Sequence, residues 1–456
     1  MEDLAKKLFG SSGIRGLTNG DLTPILATQL GLAITTFSKA KAAVVARDTR
    51  NSGLMLENAL VSGLTSGGAT VKQLGILPTP VLAFLTCKMN ADVGIMVTAS
   101  HNPPQYNGIK IFNHDSTAYD ERSQGQIEKI IECKRFSLAD WQKIGKAHFA
   151  DETRLYTSTI MESVKLRKKW RVIVDPGCGA THDLAPRILG RLGCKVTTLN
   201  SQPDGFFPAR SPEPNEESLK PLAKTVGELG ADAGVAYDGD GDRVTFIDEK
   251  GALADFDRVL AAYAAHITKK KGGGTVVTNV EASMCIERMV ELCGGKVLRT
   301  KVGDVYLSQA TSKKNAIFAG EPCGAWIHPE FHFCPDGILS SVLLLKALDD
   351  EGKKLTELVS ETPNYPILRR SITCTNETKF KVVKKIREEV GAFPKRTGIS
   401  RVDGLRVSLD EGWILIRASG TEPLVRLTVE GESLKAATKI MEKGAALVEH
   451  FVRKVN

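Results

Sequence analysis

Thr98-Ala99-Ser100-His101-Asn102-Pro103-Pro104 sets a serine hydroxyl beside a histidine, and Lys110 follows in Tyr106-Asn107-Gly108-Ile109-Lys110. A hydroxyl, an imidazole and an amine so near one another suit group transfer with proton movement. The prolines hold a turn open, because each fixes its own φ and pushes the preceding residue to extended conformations. Ser100 is therefore expected to be displayed on a turn. A serine that merely bonds its own loop is the competing reading of an isolated Ser-His pair.

Asp238-Gly239-Asp240-Gly241-Asp242-Arg243 carries carboxylates at alternate positions of a glycine-loosened loop. Alternation in a near-extended segment turns Asp238, Asp240 and Asp242 to one side, and hard oxygen ligands select a cation such as Mg²⁺. Uncompensated carboxylates so close would repel. An EF-hand is rejected: Arg243 stands where that loop needs glycine, and a strand precedes it. Two further loops suit anions. Leu8-Phe9-Gly10-Ser11-Ser12-Gly13-Ile14-Arg15-Gly16 presents the forked donor of Arg15 amid glycines. In Arg417-Ala418-Ser419-Gly420-Thr421-Glu422-Pro423 and Arg426, the Gly420 amides, the Ser419 and Thr421 hydroxyls and the guanidinium groups make a phosphate cradle. A plain turn with exposed arginines fits that last stretch equally well.

The elements that must position these residues recur three times. A first apolar strand is read in Ala42 to Asp48, Trp170 to Gly177 and Gly274 to Asn279; a second follows Gly68, Gly193 and Gly295. A third ends in loaded residues: Val93 to Ser100, Ala233 to Asp238 and Ala316 to Glu321. Helical periodicity intervenes, as at Leu54, Leu56, Ala59, Leu60 and Leu64. Strands alternating with helices imply mixed, mainly parallel sheets, whose ligands bind beyond the strands' carboxyl ends. The expected fold is three related α/β domains (residues 1–150, 151–250 and 251–365) and a C-terminal α+β domain (366–456), arranged around a central cleft.

Composition narrows the class. The 456 residues are 42% hydrophobic and 25% charged, ordinary for globular chains. The start Met1 to Lys7 lacks the long apolar segment of a signal peptide, so a soluble cytoplasmic protein without membrane spans is expected. Nine cysteines without CxxC pairs argue against a disulfide framework or zinc. The net charge of +8 is spread out, which argues against nucleic acid, and the basic runs at 165–169 and 269–271 read as linkers or helix ends.

Thr98 to Pro103, Asp238 to Arg243, Gly320-Glu321-Pro322-Cys323-Gly324 and Arg417 to Pro423 occur in this order in the α-D-phosphohexomutase family, which the chain resembles along its whole length, with the mixed signatures of the archaeal branch. The resemblance implies a phosphoserine at Ser100. Its phosphoryl passes to a hexose monophosphate, a hexose 1,6-bisphosphate turns around in the cleft, and Ser100 takes back the other phosphate. It implies Mg²⁺ held by Asp238, Asp240, Asp242 and a Ser100 phosphoryl oxygen, with Arg243, Arg15 and Arg47 sharing the charge. Lys110, His101 and Arg15 are the proton carriers to consider, and the family pattern favours Lys110 with Arg15. A desolvated lysine beside other cations is expected to have a lowered pKa.

Glu321 is expected to bind sugar hydroxyls. Cys323 and Ala325 replace the family's usual serine and histidine, with His328 the nearest stand-in. Lys301-Val302-Gly303-Asp304 resembles the phosphoglucosamine mutase loop, where Asp304 would favour a cationic 2-amino group. Phe207 to Pro214, with Arg210, resembles the phosphomannomutase/phosphoglucomutase form. Glucosamine phosphate is the leading substrate; mannose or glucose phosphate is the alternative. A Mg²⁺-dependent sugar-phosphate phosphatase and a non-catalytic sensor are the readings from other classes. A homodimer is compatible with the resemblance.

Overall fold

The computed structural model describes residues 8–10, 12–388, 393, 396–419 and 422–455. Gly420 and Thr421 of the expected cradle lie outside them.

The runs Val44-Val45, Val172-Ile173-Val174 and Val276-Val277 carry β-branched side chains that are almost wholly buried, as interior strands of a covered sheet require. In the second sheet the spatial order is Val244–Ile247, Ala233–Tyr237, Arg171–Asp175, Lys195–Thr198. The third repeats it with Trp326–Ile327, Phe318–Gly320, Gly274–Asn279 and Gly295–Thr300. The first has Tyr106–Asn113, Val93–Val97, Ala42–Arg47 and Thr70–Ile76, with added strands on both sides.

Each repeat thus contains a strand that the sequence pattern did not reveal. It returns antiparallel against the third strand of its unit, while the other pairings are parallel. The loaded loops are the hairpin connections into these returning strands. Gly13–Leu17 then pairs antiparallel with Tyr106–Asn113, which sets Arg15 opposite Gly108 and brings the first loop beside the Ser100 turn.

The fourth domain is a five-stranded antiparallel sheet backed by helices Lys379–Glu388 and Leu434–Val455. Architecture therefore agrees with the expected four-domain α/β arrangement. One apolar cluster, including Phe84, Val172, Tyr237, Val259 and Leu339, runs through the first three domains. The fourth has its own core, and among the described residues Val280, Trp413 and Leu415 form a small buried cluster at its junction with the third, with Met284 and Val302 packed against it. Among the described residues no helix is long and apolar enough to cross a membrane. The Lys269 to Lys271 run ends the helix Phe256–Lys271, where cations suit the helix terminus.

Candidate active site

Ser100 follows the strand Val93–Val97 with φ +51°, a left-handed conformation unusual for serine. Its backbone N–H donates to Thr98 Oγ1, and Thr98 Oγ1 donates to Asp48 Oδ2 at 2.6 Å. Asp48 also accepts from Arg50 Nε at 3.0 Å. The guanidinium of Arg50, fully buried, donates to the carbonyls of Ser100, Asn102, Pro103 and Tyr106. Every donor of one planar fork is spent on holding the turn, so strain at Ser100 is paired with over-determined surroundings. Sequence reading missed Arg50. Its signal was the Arg47-Asp48-Thr49-Arg50 stretch at a strand end, which looked like a single loaded arginine.

The serine is not displayed, as the turn had suggested: it is 1% exposed. The acidic loop covers it. Gly239 lies so close that a Cβ there would stand 2.5 Å from the Ser100 carbonyl oxygen, an approach only glycine permits. Ser100 Oγ donates to Asp238 Oδ2 at 2.6 Å and lies 3.3 Å from His101 Nδ1. Burial, then the charges of Arg243 and Arg15, pull His101 down to about 2, so its ring is neutral.

Asp238, Asp240 and Asp242 each offer an oxygen within 4.8 Å of the others. Asp240 Oδ1 and Asp242 Oδ1 are buried without a hydrogen-bond partner, a deficiency that a cation with hard oxygen ligands would fill. Burial and the neighbouring carboxylates push Asp238 well above the usual range. The trio is not uncompensated, however. Lys110, on Tyr106–Asn113, reaches Asp240 Oδ2 at 2.9 Å and Asp242 Oδ2 at 2.5 Å. Burial opposes the ammonium charge, but Asp240 and Asp242 outweigh it and raise Lys110 above its ordinary value, opposite to the expected lowering. Thr79 Oγ1 also donates to Asp240.

A cavity of about 360 Å³ opens on this cluster, lined by Arg15, His101, Asp242 and Arg243 from one side and Asp304, Glu321 and Cys323 from the other. Arg15 Nη1 donates to Asn102 Oδ1 at 2.8 Å, while its Nε is buried and unpartnered. Arg243 pairs with Glu213 at 3.2 Å. Glu321 accepts from Asn279 Nδ2 and the Gly303 N–H, both at 2.9 Å, and burial raises its carboxyl. Cys323, pushed up to about 12 by burial, stays a thiol. Asp304 accepts from Ser12 Oγ, which ties the third domain to the first. Asp257, Glu281 and Arg369 also line the cavity and were missed, because neither type nor spacing sets them apart in the chain.

Several expected residues are elsewhere. Arg47 is taken up by Glu57 at 3.0 Å and does not line the cavity. Arg210 is buried, donating to Asp175 and to the carbonyls of Asp175, Ser211 and Tyr237, so it braces the second domain. Lys301 lies over Tyr306 and near Glu121. Arg417 pairs with Glu281 at 2.6 Å across the junction of the third and fourth domains, while Ser419 Oγ accepts from the Glu422 N–H at 3.1 Å. Arg426 pairs with Glu422, and none of these three lines the cavity in this arrangement. His328 does not replace the missing histidine: it is buried against Tyr263 and Phe318.

The phosphoglucomutase/phosphomannomutase family models match in chain order: α/β/α domain I over residues 6–137, domain II over 154–251, domain III over 255–365 and the C-terminal domain over 372–447. A protein of Methanothermobacter thermautotrophicus named probable phosphoglucosamine mutase is 41% identical over 457 residues, covering 99% of this chain and 100% of that one. One of the same name from Methanococcoides burtonii is 45% identical, covering 93% and 95%. The crystal structure of a phosphoglucomutase/phosphomannomutase family protein from Burkholderia thailandensis superposes with TM-score 0.90 at 28% identity, covering 99% and 98% of the two chains. With its four domains in the same succession and its serine turn and acidic loop in contact, this chain belongs to the phosphoglucomutase/phosphomannomutase family.

Proposed function

We propose that the protein moves a phosphoryl group between O6 and O1 of a hexose, with glucosamine 6-phosphate and glucosamine 1-phosphate as the physiological pair. The observation that carries the reaction class is the contact of Ser100 Oγ with Asp238 beside a carboxylate trio and a cavity lined by arginines. In the first half-reaction the bond from Ser100 Oγ to phosphorus breaks and one from a sugar hydroxyl forms. The hydroxyl proton leaves, and the Ser100 oxygen regains one. The bisphosphorylated sugar then turns, and the second half-reaction reverses these changes at the other oxygen.

His101, whose Nδ1 lies 3.3 Å from Ser100 Oγ, and Lys110, held against Asp240 and Asp242, are the proton carriers beside the serine, with Arg15 on the cavity wall. Arg15 and Arg243 hold the sugar's phosphate and share the charge of the phosphoryl in flight, where positioning and charge neutralisation dominate the rate. Asp238, Asp240 and Asp242, with an oxygen on Ser100, are the ligands for Mg²⁺. When bound, Mg²⁺ supplies charge neutralisation at the phosphoryl group. Arg417, Ser419, Gly420, Thr421 and Arg426 grip the non-reacting phosphate once the fourth domain moves toward the cavity. The domain limits that follow lie near residues 150, 250 and 365.

The sugar assignment rests on the third domain's side of the cavity. Asp304, Glu281, Asp257 and Glu321 surround it with carboxylates, an environment suited to an ammonium group at C2. The full-length names of the relatives point the same way. Assays with glucosamine, glucose and mannose 1-phosphates, each with a trace of bisphosphate, test it. Preferred turnover of glucosamine 1-phosphate is expected; brisk mannose turnover without glucosamine turnover overturns the sugar, and release of free phosphate overturns the mutase.

A further inference from the structure

At the junction of the third and fourth domains, Arg406 is 6% exposed and its Nε is buried without a partner. No carboxylate among the described residues pairs with it. Its guanidinium lies over the Trp413 ring at 4.2 Å. Strand register explains the position: Ser400 and Arg406 are directly paired, as are Gly398 and Ser408, and Ser408 in turn faces Trp413. Arg406 and Ser408, two residues apart on one strand, share a face. That face borders a cavity of about 350 Å³, lined by Arg406, Ser400, Ser408 and Trp413 of the fourth domain and by Arg299 and Glu287 of the third.

The nearby charges do not satisfy Arg406. Arg299 spends its donors on Glu287 and on the carbonyls of Asn279, Ala282 and Ser283. Glu430 forms no ion pair with Arg406: its Oε2 accepts from Trp413 Nε1 and the Met284 N–H, and its Oε1 is buried without a partner. Burial and the charge of Arg299 pull Arg406 down to about 9, against the opposing charges of Glu287 and Glu430. A guanidinium nitrogen withdrawn from water without an acceptor is costly, and an oxyanion entering the cavity removes that cost by taking the forked donors.

We propose that this cavity binds a small phosphate-bearing anion through the Arg406 guanidinium and the hydroxyls of Ser400 and Ser408. It shares no lining residue with the cavity beside Ser100. Because its walls come from two domains, the bound anion favours their present arrangement.

Equilibrium dialysis of the full-length protein with inorganic phosphate tests the site, comparing wild type with Arg406→Met and Ser408→Ala. Two classes of binding site are expected in the wild type, with one weakened about tenfold or more in Arg406→Met and also reduced in Ser408→Ala. A single class in the wild type, or binding equal in all three proteins, overturns the proposal. Ser408→Ala removes only a hydroxyl and decides the matter if Arg406→Met fails to fold. Glycerol 3-phosphate in place of inorganic phosphate identifies the source: tighter binding indicates an esterified metabolite, equal binding free phosphate. The outcome does not depend on which sugar the enzyme isomerises.

Discussion

Ser100 Oγ and Asp238 Oδ2 stand 2.6 Å apart although 138 positions separate them in the chain. Two hairpin connections from different domains meet there, the acidic loop lying over the serine turn. Neither loop alone makes a site.

Replacing Ser100 with alanine removes the hydroxyl that carries the phosphoryl group, so turnover should fall at least ~10³-fold. Because Ser100 is buried, the variant also leaves Asp238 without its donor, and a modest fall in Tm should accompany the lost activity. A coupled isomerase assay and calorimetry read both; undiminished turnover removes the serine from the mechanism.

Asp240→Asn should abolish the response to metal. Titrating Mg²⁺ should raise the Tm of the wild type, because the ion binds the folded trio and relieves its repulsion. The variant's Tm should stay unchanged, and its activity should drop ~10²-fold or more. An equal Mg²⁺ shift in both proteins would place the ion elsewhere.

Arg50→Lys keeps the charge but cannot reproduce a planar fork that reaches four carbonyls and Asp48. The serine turn should lose its fixed shape, lowering kcat by ~10²-fold with a smaller change in KM, at a stability cost of about 3 kcal/mol. Mass spectrometry should find less phosphate on Ser100 after incubation with bisphosphate. A loss of stability with unchanged kcat would leave Arg50 a purely structural residue.

His328 should contribute to the acid sensitivity of the fold. Burial lowers it from 6.5 to about 3, and its Nε2 lies 3.0 Å from Ser340 Oγ. Between those values the unfolded chain binds a proton that the folded chain refuses, so stability falls as pH drops through this window. The slope from one such group approaches ~1.4 kcal/mol per pH unit. Urea unfolding at pH 7 and pH 4.5 should show a smaller acid loss for His328→Gln than for the wild type.

Asp304→Asn tests the amino-sugar assignment. Removing its charge should lower kcat/KM for glucosamine phosphate by ~10-fold while sparing glucose phosphate. Equal losses for both sugars would make Asp304 a positioning residue for Ser12 rather than a determinant of specificity.

The chain sequence by itself determined the repeated strand-helix succession, since β-branched runs and intervening helical periodicity are local signals. It also determined which loops carry chemistry: Ser100, the Asp238 to Asp242 trio and Glu321 are legible because unusual residues cluster over a few positions. Tertiary structure decided the rest. The returning strand Tyr106–Asn113, which carries Lys110, mixes polar and glycine residues with apolar ones, and its pairing with Val93–Val97 and Gly13–Leu17 is what reveals it. The buried position of Ser100, the pairing of Lys110 with two carboxylates and the task of Arg50 depend on which loop lies over which. Arg47 and Arg210 resemble Arg15 and Arg243 in the chain; only their acceptors, Glu57 and Asp175, separate the pairs. Charge complementarity between residues far apart in sequence acts through space, so it becomes readable only once the chain has brought them together.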